Sequence, residues 1–321
     1  MKKISLHLFY FLLFLCGFIT MALAQEKKQN KETRAIYYKE DEPEKDFTWK
    51  RKGFEVYIGG GAYFASKKTA NYYNGAPENE FNVNLLLDNQ YYRDEILRIM
   101  REAYRYNDTI ALINDFNQNS AYNVAMDIAL GGKYRFNKNW YIELSYSFRR
   151  VSVQNYFSFY FPGGIIGNMS PSYSRNQSLL AKEDRHYIDF SIGYIFQKHN
   201  IIKPFISVGI MFTYIEIKHF DIFIENQPFD LLQIARYPNY IPNVQDMPNY
   251  RAWSGAGYGC SLTAGLKIAC GKMVSLDPVF QVSAASFGNS SNLPGYNTKI
   301  CFNYLAGVRL VMNDALFTRN K

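Results

Sequence analysis

Eight stretches of the chain alternate apolar and polar side chains with a period of two, the spacing of a β-strand whose two faces meet different surroundings. The clearest runs from Tyr122 to Phe136. Tyr122, Val124, Met126, Ile128, Leu130, Gly132, Tyr134 and Phe136 share one face, and Asn123, Ala125, Asp127, Ala129, Gly131, Lys133 and Arg135 share the other. The remaining seven begin near Phe54, Trp140, Ile188, Ile206, Tyr258, Val274 and Ile300. Each has roughly the 9–11 residues that a tilted strand needs to cross the hydrocarbon layer of a membrane. The pattern predicts an all-β fold: an eight-stranded antiparallel transmembrane β-barrel with its apolar set turned to lipid and its polar set turned inward.

Connection lengths set the orientation. Strands two and three, four and five, and six and seven are separated by short turns such as Asn137-Lys138-Asn139, whereas most of the other connections are long. In outer-membrane barrels short turns face the periplasm and long loops face outward, so an even strand number places both termini in the periplasm. Aromatics near the strand ends form two expected interfacial girdles: Phe136, Trp140, Tyr194 and Phe196 below, and Phe64, Tyr122, Phe148 and Tyr258 above.

The first residues support a secreted chain. Lys2 and Lys3 precede an apolar run from Leu8 to Ile19, and Ala22-Leu23-Ala24 supplies a small-residue cleavage site. The expected organisation is a signal peptide over 1–24, a charged periplasmic tail over 25–52, the barrel over 53–313 and a short periplasmic C-terminal tail over 314–321. No other segment has the ~18 consecutive apolar residues of a membrane-spanning helix. Removing Lys2 and Lys3 lowers the formal charge from +8 to +6, and the remaining basic residues are not gathered into a groove or helix, which argues against nucleic acid. Cys260, Cys270 and Cys301 remain after cleavage, an odd number with no zinc-like spacing, so neither a fully paired disulfide framework nor a metal is expected.

These residues resemble the small eight-stranded outer-membrane barrels of the OmpA/OmpX type. The Asn-, Tyr- and Lys-rich composition is similar to that of Bacteroidetes members. The resemblance covers about Phe54 to Met312 as pattern and carries no sharp motif. It implies insertion by the barrel assembly machinery and contact with outer-membrane lipid and lipopolysaccharide.

Two groups of residues carry the candidate chemistry. Glu55, Asp127, Glu143, Asp189 and Asp277 are expected inside the barrel beside Lys133, Arg135, Arg149, Lys267 and Arg309. In a lumen only wide enough for side chains, opposite charges in equal number should pair, because an isolated buried charge is very costly. A salt-bridged core is the first reading and a narrow channel for small solutes is the alternative. The second group is aromatic: Tyr156, Phe157, Tyr160, Tyr237, Tyr240 and Tyr250, in loops or protruding strand ends suited to an extracellular protein or glycan, or to an envelope complex. The first long loop, about 65–121, carries Tyr92, Ile96, Ile99, Ala103 and Tyr106 at helical spacing. It predicts an amphipathic helix over the barrel mouth, with Arg98 four residues from both Asp94 and Glu102.

Catalysis finds little support. A hydrolase needs a nucleophile, a base and an orienting group in reach of one another. His186, His199 and His219 are not ordered into a motif, and a grouping of His219 with Asp221 or Asp189 is the most that can be assembled. No catalytic residue and no cofactor is assigned. The expected function is non-catalytic surface binding or envelope scaffolding through the loops, with a lipid-modifying enzyme as the weakest alternative.

Overall fold

The computed structural model describes residues 53–104, 111–113, 116–161, 173–196, 202–237, 252–270, 274–287, 293, 296 and 300–313. The strands are β1 (Gly53–Phe64), β2 (Ala111–Ile113), β3 (Ala125–Arg135), β4 (Trp140–Phe161), β5 (Tyr173–Ile195), β6 (Ile202–Ile224), β7 (Gln227–Asp230), β8 (Trp253–Ala269), β9 (Val274–Ala285) and β10 (Cys301–Asn313). Eight of them pair antiparallel in a closed ring, β1–β3–β4–β5–β6–β8–β9–β10 and back to β1, while β2 and β7 add to the upper ends of β4 and β6. Closure pairs each of the eight strands on both sides along the lower ring, where an open antiparallel sheet would leave two free edges.

The register sets the tilt. Trp140, Tyr194, Ile206, Ala264, Phe280, Ala306, Ala62 and Met126 form one row around the ring. Since Asp127 faces Arg149, the row closes on β4 at Arg150, ten residues above where it began. With strands ~4.8 Å apart and ~3.3 Å of rise per residue, that stagger tilts the strands by roughly 40°.

The wall has two heights. β4, β5 and β6 run 22, 23 and 23 residues, against 11 to 13 for β1, β3, β9 and β10. The tight β3–β4 connection is held by the Asn137 side chain, which accepts from the backbone N–H of Asn139 and Trp140 at 2.8 Å each. At the opposite end the first long loop forms a 3-10 helix (Lys67–Tyr73), α1 (Asn84–Asp88) and α2 (Gln90–Tyr104), and α3 (Leu231–Arg236) follows β7. Among the described residues no helix is long and apolar enough to cross a membrane.

Around the lower barrel the apolar faces point outward. Met126, Ile128, Leu130, Leu144, Ile188, Phe190, Ile192, Val208, Ile210, Phe212 and Leu262 are all exposed, which gives a continuous apolar band. Inside the tall end the arrangement reverses. Val151, Val153, Phe157, Phe159, Leu179, Ile215, Ile217, Phe220 and Ile222 are buried there against Phe81, Leu86, Ile96, Met100 and Trp253. α2 supplies its apolar face to this core through Tyr92, Ile96, Ile99 and Met100, while Arg98 on the solvent side pairs with Glu95 and Glu102 at 2.6 Å each, and Asp94 is not its partner.

One strand start departs from the alternation. Ordered pairing of β3 begins at Ala125, and Tyr122 makes only an isolated bridge to Val153. Tyr122 therefore leaves the outer girdle and turns inward, where its hydroxyl donates to Thr69 Oγ1 at 3.1 Å. The period of two is broken by two residues outside the ladder, and the hydroxyl and the ring find polar partners only inside.

Candidate functional site

The ten charged residues singled out in the sequence all project into the lumen and are buried, with relative exposures from 0 to 7%. They are stacked in levels. Lowest, Glu55 receives Arg135 and Lys267, the latter at 2.7 and 2.9 Å. Next, Glu143 accepts from Arg309 at 2.9 Å and from the Tyr57 hydroxyl at 2.5 Å. Lys133 lies 3.6 Å from Glu143 and 3.5 Å from Asp277, enclosed by the rings of Tyr57, Tyr141 and Phe205 at 5.0 to 5.5 Å. Ser261 donates to Asp189 at mid-height, and Arg149 meets Asp127 at 2.5 Å. Lys133 with Glu143, and Asp127 with Arg149, are direct cross-strand partners, so the antiparallel register itself brings the opposite charges together.

Glycines make room for the aromatic part of this packing. The Tyr57 ring lies against Gly131, where an added Cβ would come within 2.5 Å of it, and the Tyr141 ring crowds Gly193 in the same way. A side chain at either position would force the ring out of the lumen. Among these side chains lies a cavity of about 20 Å³ lined by Tyr57, Asp127, Arg149, Asp189, Gln281 and Arg309, room for a single water.

Above Arg149 the filling becomes aromatic and then apolar. The Arg149 guanidinium is sandwiched between the rings of Tyr63 and Tyr187 at 4.3 and 4.1 Å, and the two hydroxyls share a 2.7 Å hydrogen bond. Over them sits a further buried ion pair, Glu183 with Arg185, both on β5. Arg185 donates to the Tyr63 hydroxyl at 3.2 Å and to Thr69 Oγ1 at 3.3 Å, between the rings of Tyr122 and Phe287 at 4.7 Å each. Glu183 accepts from the hydroxyls of Tyr73 and Tyr296, the latter at 3.2 Å. Burial, with the Glu183 carboxylate alongside, holds the Tyr73 hydroxyl well above the usual tyrosine range, so it remains a donor.

Glu183 and Arg185 lie outside the ten charged residues that the sequence pattern singles out, although the sequence carries a signal for them. They share the parity of Asp189 on β5, which places them on the inward face. Among the loop aromatics, Tyr156 is exposed and Tyr237 half-buried, but Phe157 is buried. Phe157 is withdrawn as a binding residue: its position on β4 points inward, where it packs on Phe159 and Phe116. Tyr240, Tyr250 and the Tyr160 side chain lie outside the described residues, as do Tyr106, His199, the leader and both tails.

His219 keeps Asp221 as a near neighbour on β6, but the grouping with Asp189 does not assemble. Asp189 lies in the lumen while His219 is exposed on the outer face of the tall wall. His186 faces outward too, its Nδ1 sharing a 2.7 Å hydrogen bond with the Tyr146 hydroxyl, between Phe148 and Tyr214. Among the described residues no cluster of His, Cys, Asp and Glu has the form of a metal site.

No family model matches the chain, and no curated protein matches it. Among solved structures it is similar to Neisserial surface protein A, at 10% identity and a TM-score of 0.36, covering 81% of this chain and 96% of that one. The outer membrane protein OprG from Pseudomonas aeruginosa shares 11% identity with a TM-score of 0.35, over 82% and 97% of the two chains. Ail, the attachment invasion locus protein of Yersinia pestis, in complex with the heparin analogue sucrose octasulfate, gives 10% identity and 0.31 over 81% and 99%. At these identities and scores the likeness supports no step beyond the strand ring already described.

Proposed function

We propose that the chain is an integral outer-membrane protein with a sealed lumen, working non-catalytically through its long-loop end by holding an extracellular protein or glycan or by scaffolding the envelope. One observation carries this reading: mutually paired side chains occupy the lumen at every level from Glu55 to Arg185, and an apolar lid fills the mouth above them. A continuous water column needs a wider barrel than eight strands provide once tyrosines and arginines lie across it. The apolar band then meets lipid, lipopolysaccharide included, and the short-turn end and both termini face the periplasm.

Planar-bilayer recording on refolded mature protein tests the reading, with heat-modifiable gel mobility confirming the barrel. Well-folded protein is expected to give no current steps. Stable, salt-dependent steps would make the lumen a pathway and replace surface binding by transport of small solutes.

A further inference from the structure

We propose that the buried Glu183–Arg185 pair is a clasp that couples the first and last outer loops, so that the two open and close as one unit. The loops come from opposite ends of the barrel sequence. Thr69 and Tyr73 belong to the 3-10 helix of the first, and Phe287 and Tyr296 to the connection between β9 and β10. All four meet on this one pair: Tyr73 and Tyr296 donate to the same Glu183 oxygen, Thr69 accepts from Arg185, and Phe287 covers the guanidinium. The loops also touch directly, with the Tyr72 ring edge-on to Tyr296 at 4.9 Å.

The chemistry of the pair makes the clasp cooperative. A buried carboxylate and guanidinium are tolerable only while their remaining lone pairs and protons are satisfied, and here the loops provide that satisfaction. Departure of one loop leaves a charged group short of a partner and draws water in, which weakens the hold on the other. Once both have left, the pair stands at the barrel mouth, where water rehydrates it and offsets the loss. Partial opening is therefore the unfavourable state, and seated or released loops are the two favoured ones. Coupling of this kind is reciprocal, so a molecule that displaces either loop releases both. The inference holds whatever the loop end binds and whether or not the lumen conducts.

Amide hydrogen exchange on the full mature protein in detergent or nanodisc tests it, using Tyr73→Phe, which keeps the ring and its packing and removes one hydroxyl donor on the first loop. A hydrogen bond to a charged group has the size to change opening about ten- to a hundredfold. Exchange is expected to rise by similar factors in 67–104 and in the segment carrying Phe287 and Tyr296, with the amides of β1 and β10 unchanged. Tyr296→Phe, on the last loop, is expected to quicken exchange in 67–104 in return. Acceleration confined to the loop that carries the substitution overturns the proposal, and so does equal acceleration in the barrel strands. Glu183→Gln is expected to exceed either single phenol variant while heat-modifiable mobility persists, and a smaller effect than theirs counts against the clasp.

Discussion

The same three strands obey opposite rules below and above Arg149. In its lower half β4 turns Trp140, Leu144 and Tyr146 outward and Glu143, Ser147 and Arg149 inward; in its upper half Val151, Val153 and Phe157 turn inward and Arg150 and Gln154 outward. β6 makes the same exchange after Tyr214, with Ile215 and Ile217 inside and Lys218 outside. The backbone period does not change at the crossover; the preferred phase does. A strand places its apolar residues wherever water is scarce, and the place changes with height. On the reading of the band as lipid-facing, the lower wall has lipid outside and a filled polar lumen inside, while the upper wall has water outside and must build a globular core.

The sharpest way to separate the halves is to remove one partner from each. Glu55→Ala takes the Glu55 carboxylate away from the buried Arg135 and Lys267, a change expected to cost about 3–5 kcal/mol. It should lower the urea midpoint of the heat-modifiable barrel. Phe220→Ala removes a buried ring packed on Tyr73 and Phe81 and should cost about 3–5 kcal/mol as well, but within the lid. Faster amide exchange in α2 with an unmoved barrel midpoint is the expected result. If both variants shift one common transition, the lid and the barrel are a single cooperative unit and the comparison fails.

The outer surfaces give the next test. Ile210 sits at the centre of the apolar band on β6, 57% exposed, and Ile210→Lys should cost about 2–4 kcal/mol in a bilayer. Gln154→Lys lies outward on the upper half of β4 and should change stability by less than about 0.5 kcal/mol. Refolding titrations into lipid vesicles measure both. Equal costs would mean that the two surfaces meet the same medium.

Period and loop length made the lower barrel legible in the sequence. A lumen with five acids and five bases at inward positions also names its own partners once cross-strand register is imposed, as Lys133 with Glu143 and Asp127 with Arg149 illustrate. The upper half was harder because alternation alone does not report which face is wet. Phe157 looks like an exposed aromatic only while apolar residues are taken to face outward all along β4; it lies at the opposite parity to Phe148, on the inner face, and the switch of the apolar residues to that parity after Arg149-Arg150 is the clue. On β6 a bulge intervenes: Lys182 faces His219 and Glu183 faces Ile217, so Lys218 is an extra residue and the inward set moves from Ile217 to Phe220. No local feature of the sequence announces that shift, because the extra residue is defined by the neighbouring strand. The clasp escaped for a related reason, since Glu183, Tyr73 and Tyr296 meet only after the barrel has closed.

The smallest expected effect bears on how the tall wall ends. Asp221 and Asp230 face each other across β6 and β7, and Asp230 also caps α3, accepting from the backbone N–H of Leu232 at 2.9 Å and Gln233 at 3.3 Å. Burial raises both carboxyls above the ordinary aspartate value, and the charge of Asp230 raises Asp221 further. The cap hydrogen bonds and His219 offset part of this for Asp230, as His219 and Lys182 do for Asp221. A carboxyl whose folded value exceeds its unfolded value favours folding in the protonated form. The hairpin should therefore gain stability as pH falls through the raised folded values toward about 4 and lose it as pH rises through them. Cross-strand side-chain pairs are worth about 0.2–1 kcal/mol, which sets the scale of the repulsive part of the effect. Amide exchange over 227–236, corrected for the intrinsic pH dependence, should show more protection near pH 4.5 than at pH 7. Asp221→Asn should weaken that dependence, because it removes the Asp221 titration and the repulsion while leaving the α3 cap in place; a dependence that survives undiminished would assign the pH response to the burial of Asp230 and not to the facing pair.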